Sequence, residues 1–147
     1  MKVIVDTNVV VSAILNPNSK AGELIIFGRQ HFTFFAPNLM KIEVKKHQVR
    51  LQEISKLSEV EFNSVREELF ECLSFISEEQ IAYEHWHNAI PIVRDVDMDD
   101  IAFVALAEYL DAMLWTGDKR LLQAMQQRGY KRGISSDTLY QNWLSVR

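Results

Sequence analysis

Cysteine is almost absent from this 147-residue sequence, and its scarcity excludes two kinds of small protein. Cys72 is the only cysteine, so the chain is not a scaffold held together by disulfides. A zinc site built from several thiolates is excluded for the same reason. A single cysteine suits a protein kept in a reducing compartment, so we expect a cytoplasmic location.

Glycine, proline and long apolar runs are also scarce. Five glycines and three prolines are too few for long linkers, so we expect residues 1–147 to form a single domain. No stretch that is free of charges is long enough to cross a bilayer, and Met1–Val5 lacks the features of a signal peptide. We therefore expect no membrane association. The chain is 48% hydrophobic and 24% charged, which is typical of a globular protein.

Acidic residues are unevenly distributed along the chain. Residues 57–84 contain eight acids and one base, a net −7, so the remainder sums to +3 within a total of −4. An acidic protein with this distribution can still present a basic face to phosphates.

Apolar runs alternate with helical patterns, which predicts a mainly parallel sheet with helices on both faces. The predicted strands are Lys2–Val5, Phe32–Ala36, Ser74–Ser77, Ala112–Thr116 and Ile134–Ser135. The predicted helices are Asn8–Leu15, Ala21–Arg29, a long helix from Pro37 to Lys56, one that a capping box starts at Ser58, Glu78–Ile90 ending at Pro91, Asp99–Leu110, Lys119–Arg128, and a last helix capped by Ser136.

Asp6 comes directly after the first predicted strand. Ligands in parallel α/β folds gather at the carboxyl ends of strands, so a carboxylate there is a candidate cation ligand. The alternative is that Asp6 only caps the following helix.

Glu43 lies beside the predicted apolar stripe of the long helix. That stripe consists of Leu39, Ile42 and Val49. A glutamate at the edge of a buried face is a second candidate ligand. The alternative is an ordinary surface glutamate paired with Lys46 or His47.

The segment Asp95–Asp100 carries four carboxylates in six residues. Carboxylates this close raise each other's pKa unless a cation neutralises them. The following helix is apolar almost all round and must be buried, which carries its acidic start toward a cleft. A solvated acidic turn at a helix start is the alternative.

Asp118 follows the predicted strand Ala112–Thr116, after a turn at Gly117. Thr116 and Asp118 therefore project polar groups at another strand end, and a bare turn is the alternative. Asp6, Glu43, Asp100 and Asp118 come from four separate elements. Convergent carboxylates of this kind suit Mg²⁺ or a similar ion, which can activate water for attack on phosphorus.

The chain also carries a group of bases near Glu43 and a pair of histidines. Four bases surround Glu43 along the helix, where they form either a solvated face or a rim that contacts phosphates: Lys41, Lys45, Lys46 and Arg50. His85 and His87 are two positions apart and do not share a helix face, so we interpret them as structural or surface residues.

The chain resembles PIN-domain proteins, metal-dependent ribonucleases that include the toxins of many toxin–antitoxin pairs. The resemblance rests on Val3–Asn8, Ile42–Val44, Asp97–Ala107 and Leu114–Asp118. It implies a three-layer α/β/α sandwich with Mg²⁺ or Mn²⁺ bound by Asp6, Glu43, Asp100 and Asp118. Of the adjacent pair Asp99 and Asp100, it favours Asp100.

The resemblance also implies supporting residues and partners. Asp97 would support the acidic turn or hold a water, and Thr7, Asn8, Ser12 and Thr116 would orient the carboxylates or the substrate. RNA is the expected substrate, an antitoxin protein an expected partner and a homodimer the expected assembly. Together these features predict a metal-dependent endoribonuclease. The alternatives are a non-catalytic binding or regulatory module and a small-molecule phosphatase.

Overall fold

A five-stranded sheet forms the centre of the computed structural model, which describes all 147 residues. The strands are Lys2–Val5 (β1), Thr33–Pro37 (β2), Ser74–Ile76 (β3), Met113–Trp115 (β4) and Gly133–Ile134 (β5). Their order across the sheet is β3-β2-β1-β4-β5, and every neighbouring pair is parallel. The carboxyl ends of all five strands therefore share one edge of the sheet.

Helices cover both faces of this sheet. They are Thr7–Leu15 (α1), Lys20–Phe27 (α2), Leu39–Lys46 (α3), Gln48–Ser55 (α4), Glu59–Glu71 (α5), Tyr83–Val93 (α6), Ile101–Leu110 (α7), Lys119–Gln127 (α8) and Ser136–Val146 (α9). Val3, Ile4 and Val5 of β1 are all fully buried, and successive strand residues point to opposite faces, so both faces are covered. The predicted α/β/α sandwich is confirmed.

The helices fall into two groups, each packed around one apolar helix. α7 contacts β1, β2 and β4 as well as α6, whereas α1 contacts α2, α3, α4 and α5. Residues Ala102–Ala107 of α7 are all buried, as their apolar composition predicted. None of the helices has the length and apolar character that would let it span a membrane.

The predicted long helix from Pro37 to Lys56 is wrong, because the backbone leaves the helical conformation at His47 and two helices form, α3 and α4. The predicted stripe is wrong as well: Ile42 is 65% exposed and Val49 72%. The buried positions are Met40, Val44 and Leu51. The sequence carries two apolar stripes, and the packing of α3 and α4 against α1 selects the second.

The predicted helix Glu78–Ile90 differs at both ends. A 3₁₀ turn occupies Glu78–Gln80, and α6 starts at Tyr83 and continues through Pro91 to Val93. Proline removes one helical hydrogen bond and crowds the carbonyl four residues earlier. Packing of α6 against α7 keeps the helix intact past Pro91.

The predicted cap of the last helix is displaced by one residue. Ser135 caps α9, since its Oγ accepts from Thr138 N at 3.2 Å. Ser136 is the first helical residue, and its Oγ accepts from Trp115 Nε1 at 2.8 Å. The buried indole N–H of Trp115 needs an acceptor, and Ser136 provides it.

Candidate active site

The ends of β1 and β4 lie side by side at the carboxyl edge of the sheet. Val5 pairs with Trp115, and Asp6 N donates to Trp115 O at 2.9 Å. This register brings Asp6 next to Thr116 although 110 positions separate them. Asp6 is 4% exposed and Thr116 is fully buried, so both side chains lie at the floor of the site.

Both oxygens of the Asp6 carboxylate are held by hydrogen bonds. Oδ1 accepts from Thr7 N at 2.8 Å, which makes Asp6 the N-cap of α1. Oδ2 accepts from Thr116 Oγ1 at 2.7 Å and from Asn8 Nδ2 at 3.4 Å. Burial raises the pKa of Asp6 from 3.8 to about 6, against the hydrogen bonds from Thr116 and Thr7, and the charges of Glu43 and Asp118 add to the rise.

Thr116 connects the two strand ends. Its hydroxyl donates to Asp6 and accepts from Asp118 N at 3.0 Å and Asn8 Nδ2 at 3.3 Å. Asn8 Oδ1 in turn accepts from Gly117 N at 3.1 Å. The predicted orienting residues Asn8 and Thr116 thus contact both the Asp6 carboxylate and the backbone that carries Asp118.

Glu43 reaches the same edge from α3. Its Oε1 accepts from Thr7 Oγ1 at 2.7 Å, so Thr7 ties α3 to the start of α1. Burial raises the pKa of Glu43, and the charges of Asp99 and Asp97 raise it further, while Thr7 and His47 lower it. Glu43 forms no ion pair, so the alternative of a pair with Lys46 or His47 does not hold.

Asp100 precedes α7, at the end of a 3₁₀ turn, Met98–Asp100. Its partly buried side chain makes no hydrogen bond to the helix and no ion pair. Burial raises its pKa from 3.8 to about 7, and four neighbouring carboxylates add to the rise. They are Asp6, Asp97, Asp118 and Glu43.

Asp118 is the N-cap of α8. Its Oδ1 accepts from Arg120 N at 2.9 Å and Leu121 N at 3.2 Å, and Oδ2 makes no hydrogen bond. For Asp6 and Asp118, capping and a place in the carboxylate cluster are therefore compatible, because capping leaves part of each carboxylate free for other contacts.

The acidic turn adds negative charge to the cluster from residues outside the predicted ligand set. Asp97 Oδ1 accepts from Asp99 N at 2.9 Å, so Asp97 supports the turn. The resemblance favoured Asp100 over Asp99 as a ligand, but the charge of Asp99 raises the pKa of Glu43. Asp95 is outside the cluster, since it pairs with Arg128 at 3.1 Å. Nothing in the spacing of the four acids distinguished these roles.

Ser12 lies one turn beyond Asn8 and does not contact the carboxylates. Its Oγ donates to Asn8 O at 3.0 Å, and its side chain faces a small cavity beside the site.

The donor chemistry of the cluster fits a hard divalent cation. The predicted ligands supply only carboxylate oxygens, and none has a basic partner. As their side chains stand, however, no three of the chain's His, Cys, Asp and Glu residues are grouped to hold one ion. Mg²⁺ is commonly bound through one or two carboxylates and keeps several waters. The arrangement suits that mode better than four direct ligands, and the ligand assignment stays a prediction.

Four unpaired bases lie on α3 and α4 near Glu43. Lys41, Lys45, Lys46 and Arg50 are exposed and take part in no ion pair. Lys41 Nζ lies 4.3 Å from the centre of the Phe75 ring, on the outer strand of the sheet.

Several solved structures resemble this fold, and two of them illustrate the likeness. PAE2754 from Pyrobaculum aerophilum superposes with a TM-score of 0.70 at 13% identity, covering 99% of this chain and 90% of the other. VapBC2 from Rickettsia felis, solved bound to a DNA fragment from its promoter, gives a TM-score of 0.67 at 14% identity over 92% of this chain and 98% of the other. No curated protein matches the sequence.

The family assignment follows from the sequence itself. The model of the PIN domain matches residues 4–135, from β1 to the cap of α9. The matched region contains all four candidate carboxylates, and the predicted resemblance is confirmed. This chain therefore belongs to the PIN domain family, whose members are in general nucleases that use divalent metal ions.

Proposed function

We propose that this protein is an endoribonuclease that hydrolyses RNA phosphodiester bonds with a water activated by Mg²⁺ or Mn²⁺. The proposed ligands are Asp6, Glu43, Asp100 and Asp118, of which one or two bind the ion directly and the others act through water. We further propose that residues 1–147 work as one domain in the cytoplasm.

The observation that carries this proposal is the state of Asp100. The Asp100 carboxylate is partly buried, its pKa is raised to about 7, and it has neither a hydrogen bond to its helix nor an ion pair. Such a carboxylate is unfavourable in a fold whose other buried polar groups have partners. Asp6 adds a second carboxylate with a raised pKa. A divalent cation would neutralise both, which gives the cluster a physical reason to exist.

The chain's own residues would prepare the site for an in-line displacement. When bound, the metal ion would supply a nucleophilic water and neutralise the charge that develops on phosphorus. Thr116 and Thr7 hold the carboxylates of Asp6 and Glu43 in fixed orientations through hydrogen bonds of 2.7 Å. Of the exposed bases on α3 and α4, Lys46 lies three positions after Glu43 and therefore on the same helix face. It would contact the RNA phosphates.

The proposal extends to partners. VapBC2, which was solved bound to a DNA fragment from its promoter, shares this fold, and we propose that this chain pairs with an antitoxin protein. A homodimer is the proposed assembly.

A metal-dependent cleavage assay tests the proposal. Purified wild-type protein is incubated with structured and unstructured RNA in EDTA, Mg²⁺ or Mn²⁺, beside Asp6→Asn and a matched control, Asp111→Asn. Asp111 is exposed, has a left-handed backbone that asparagine tolerates, and pairs with Arg132 away from the site. We expect cleavage only with metal, a loss of about 100-fold or more in Asp6→Asn, and wild-type rates in the control.

Other outcomes select other functions. Equal cleavage by wild type and Asp6→Asn would show that the site is wrongly assigned. No Mn²⁺ binding at millimolar concentration by calorimetry would indicate a non-catalytic binding or regulatory module. Hydrolysis of phosphomonoesters without cleavage of RNA would indicate a small-molecule phosphatase.

A further inference from the structure

A small cavity of about 180 Å³ opens beside the carboxylate cluster. It lies where α1, α2, the turn after β4 and the start of α9 meet. Its walls are Asn8, Val9, Ser12, Ala21, Gly117 and Ser136. None of the assigned ligands lies in it, so the proposed metal site does not account for it.

The cavity shares a wall with the site. Asn8 Nδ2 lies 3.4 Å from Asp6 Oδ2 and 3.3 Å from Thr116 Oγ1, and the same side chain borders the cavity. Gly117 stands in the sequence between Thr116 and Asp118. A group in the cavity would therefore be next to the carboxylates, within the length of one nucleotide.

The wall of the cavity combines polar and apolar groups and carries no charge. Ser136 Oγ accepts from Trp115 Nε1, so its own O–H is free to donate. Ser12 Oγ donates to Asn8 O, so its lone pairs are free to accept. One donor and one acceptor without charge suit the edge of a nucleobase, whereas a phosphate would need a cation or several N–H donors.

The two outer walls of the cavity are tied together. Lys20, next to Ala21, pairs with Asp137, next to Ser136, at 2.8 Å. Tyr140 OH donates to Glu23 Oε2 at 2.9 Å, a second link between α2 and α9. These contacts fix the position of α2 relative to α9 and pair the charges beside the cavity.

We infer that this cavity binds the base of the nucleotide adjoining the cleaved phosphodiester and selects among bases. The inference rests on the proposed function for the identity of the substrate. A volume below that of drug-sized pockets admits a single base, and single-stranded RNA offers unstacked bases whose edges proteins read by hydrogen bonds. Ser12 and Ser136 are the selecting residues.

Nucleoside binding tests the cavity without any cleavage. The four ribonucleosides, which lack phosphate, are titrated into metal-free protein while the indole N–H resonance of Trp115 is followed by NMR, since this donor contacts Ser136. We expect a saturable shift with one or two of the four. No shift with any nucleoside at its solubility limit would overturn the inference.

Two serine variants give the matched comparison. Ser12→Leu fills the cavity from an exposed helix position, and Ser64→Leu makes the same change on the exposed surface of α5. We expect Ser12→Leu to weaken nucleoside binding about tenfold or more and Ser64→Leu to leave it unchanged. Ser12→Ala removes the acceptor, together with the hydroxyl's bond to Asn8 O, without adding bulk, so it serves as the second variant if Ser12→Leu fails to fold. Wild-type affinity in both Ser12 variants would refute the inference.

Cleavage preference provides a second readout. RNAs that differ only in the base beside the cleaved bond should be cut at different rates by wild type and at similar rates by Ser12→Leu. Preference that survives in Ser12→Leu would contradict the role of the cavity. If wild type cleaves no RNA, the proposed function fails while the NMR titration still decides whether the cavity binds a base.

Discussion

Some aspartates of this protein form an ion pair with a basic side chain, and others have no such partner. Asp95, Asp111 and Asp137 each pair with a basic side chain on the surface. Asp6 and Asp100 have no such partner, and their pKa values are raised to about 6 and about 7. Because charge repulsion and burial are both unfavourable, these residues weaken the metal-free fold in exchange for a site that attracts cations.

The pH dependence of stability is the first prediction at this scale. A carboxyl whose folded pKa lies above its unfolded value destabilises the native state when ionised, and the penalty is relieved as pH falls through the folded pKa. For Asp6 and Asp100 this window runs from above pH 7 down toward pH 4. In EDTA, the wild type should therefore gain on the order of 2 kcal/mol between pH 8 and pH 5 relative to the double variant Asp6→Asn/Asp100→Asn, with Asp100 discounted for its partial exposure.

Urea unfolding of both proteins at several pH values measures this difference. Comparison with the double variant removes the contribution of the groups that titrate alike in both proteins. A wild type that loses stability relative to the double variant as pH falls would contradict the raised pKa values.

Pairs of elements meet at the site through side-chain hydrogen bonds. β1 and β4 are joined by the contact of Thr116 with Asp6, and α1 and α3 by the contact of Thr7 with Glu43. Both contacts are 2.7 Å long. In each pair, one element contributes an acid and the other contributes the hydroxyl that donates to it.

Thr116→Val should weaken metal binding about 10- to 100-fold while the protein stays folded. Valine keeps the shape of the side chain but removes the donor to Asp6 and the acceptor for Asp118 N. Thr116→Ser retains the hydroxyl and should recover most of the affinity. Calorimetric titration with Mn²⁺ compares the three proteins, and equal affinities in wild type and Thr116→Val would show that the hydroxyl does not organise the site.

Helix α5 provides a stability prediction that is independent of the site. Ser58 Oγ accepts from Glu61 N at 3.1 Å, and Glu61 Oε1 accepts from Ser58 N at 3.0 Å. Ser58→Ala removes one half of this capping box and should cost about 1 kcal/mol of the free energy of unfolding. Ser64→Ala, an exposed position in the same helix, is the control. Urea unfolding of both variants checks the difference.

At the scale of the whole molecule, the order of the strands assembles the site from distant parts of the chain. β1 is central and β4 lies beside it, so acids near positions 6 and 118 meet at one edge. α3 and the turn before α7 deliver Glu43 and Asp100 to the same edge. The proposed metal would then link four elements of the native fold and none of the unfolded chain.

Metal should therefore raise the thermal stability of the native protein. At a Mn²⁺ concentration about 100 times the dissociation constant, the gain is about 2.7 kcal/mol, which corresponds to roughly 5–10 °C in Tm for a domain of this size. Asp6→Asn should show little of this rise, and Asp111→Asn should show all of it. Differential scanning fluorimetry measures the shifts, and equal rises in wild type and Asp6→Asn would rule out Asp6 as a ligand.

Much of the fold was predictable because its elements are encoded locally. The strand Lys2–Val5 and the helix at Asp99–Leu110 were predicted within two residues at each end, since apolar runs and helical spacing are local features. The break at His47 and the passage of α6 through Pro91 were not, because they depend on packing against other helices. Ile42 and Val49 were placed on the wrong face for the same reason.

The residues alone establish which chemical groups are present: carboxylates after two strands and before a buried helix, within a family pattern that contains them. How these carboxylates are held follows from the packing of elements that are distant in the chain. Asp6 accepts from Thr116, Glu43 accepts from Thr7, and the charge of Asp99 raises the pKa of Glu43. Hydrogen bonds and burial between residues this far apart in the chain depend on strand order and packing, and no local pattern encodes them.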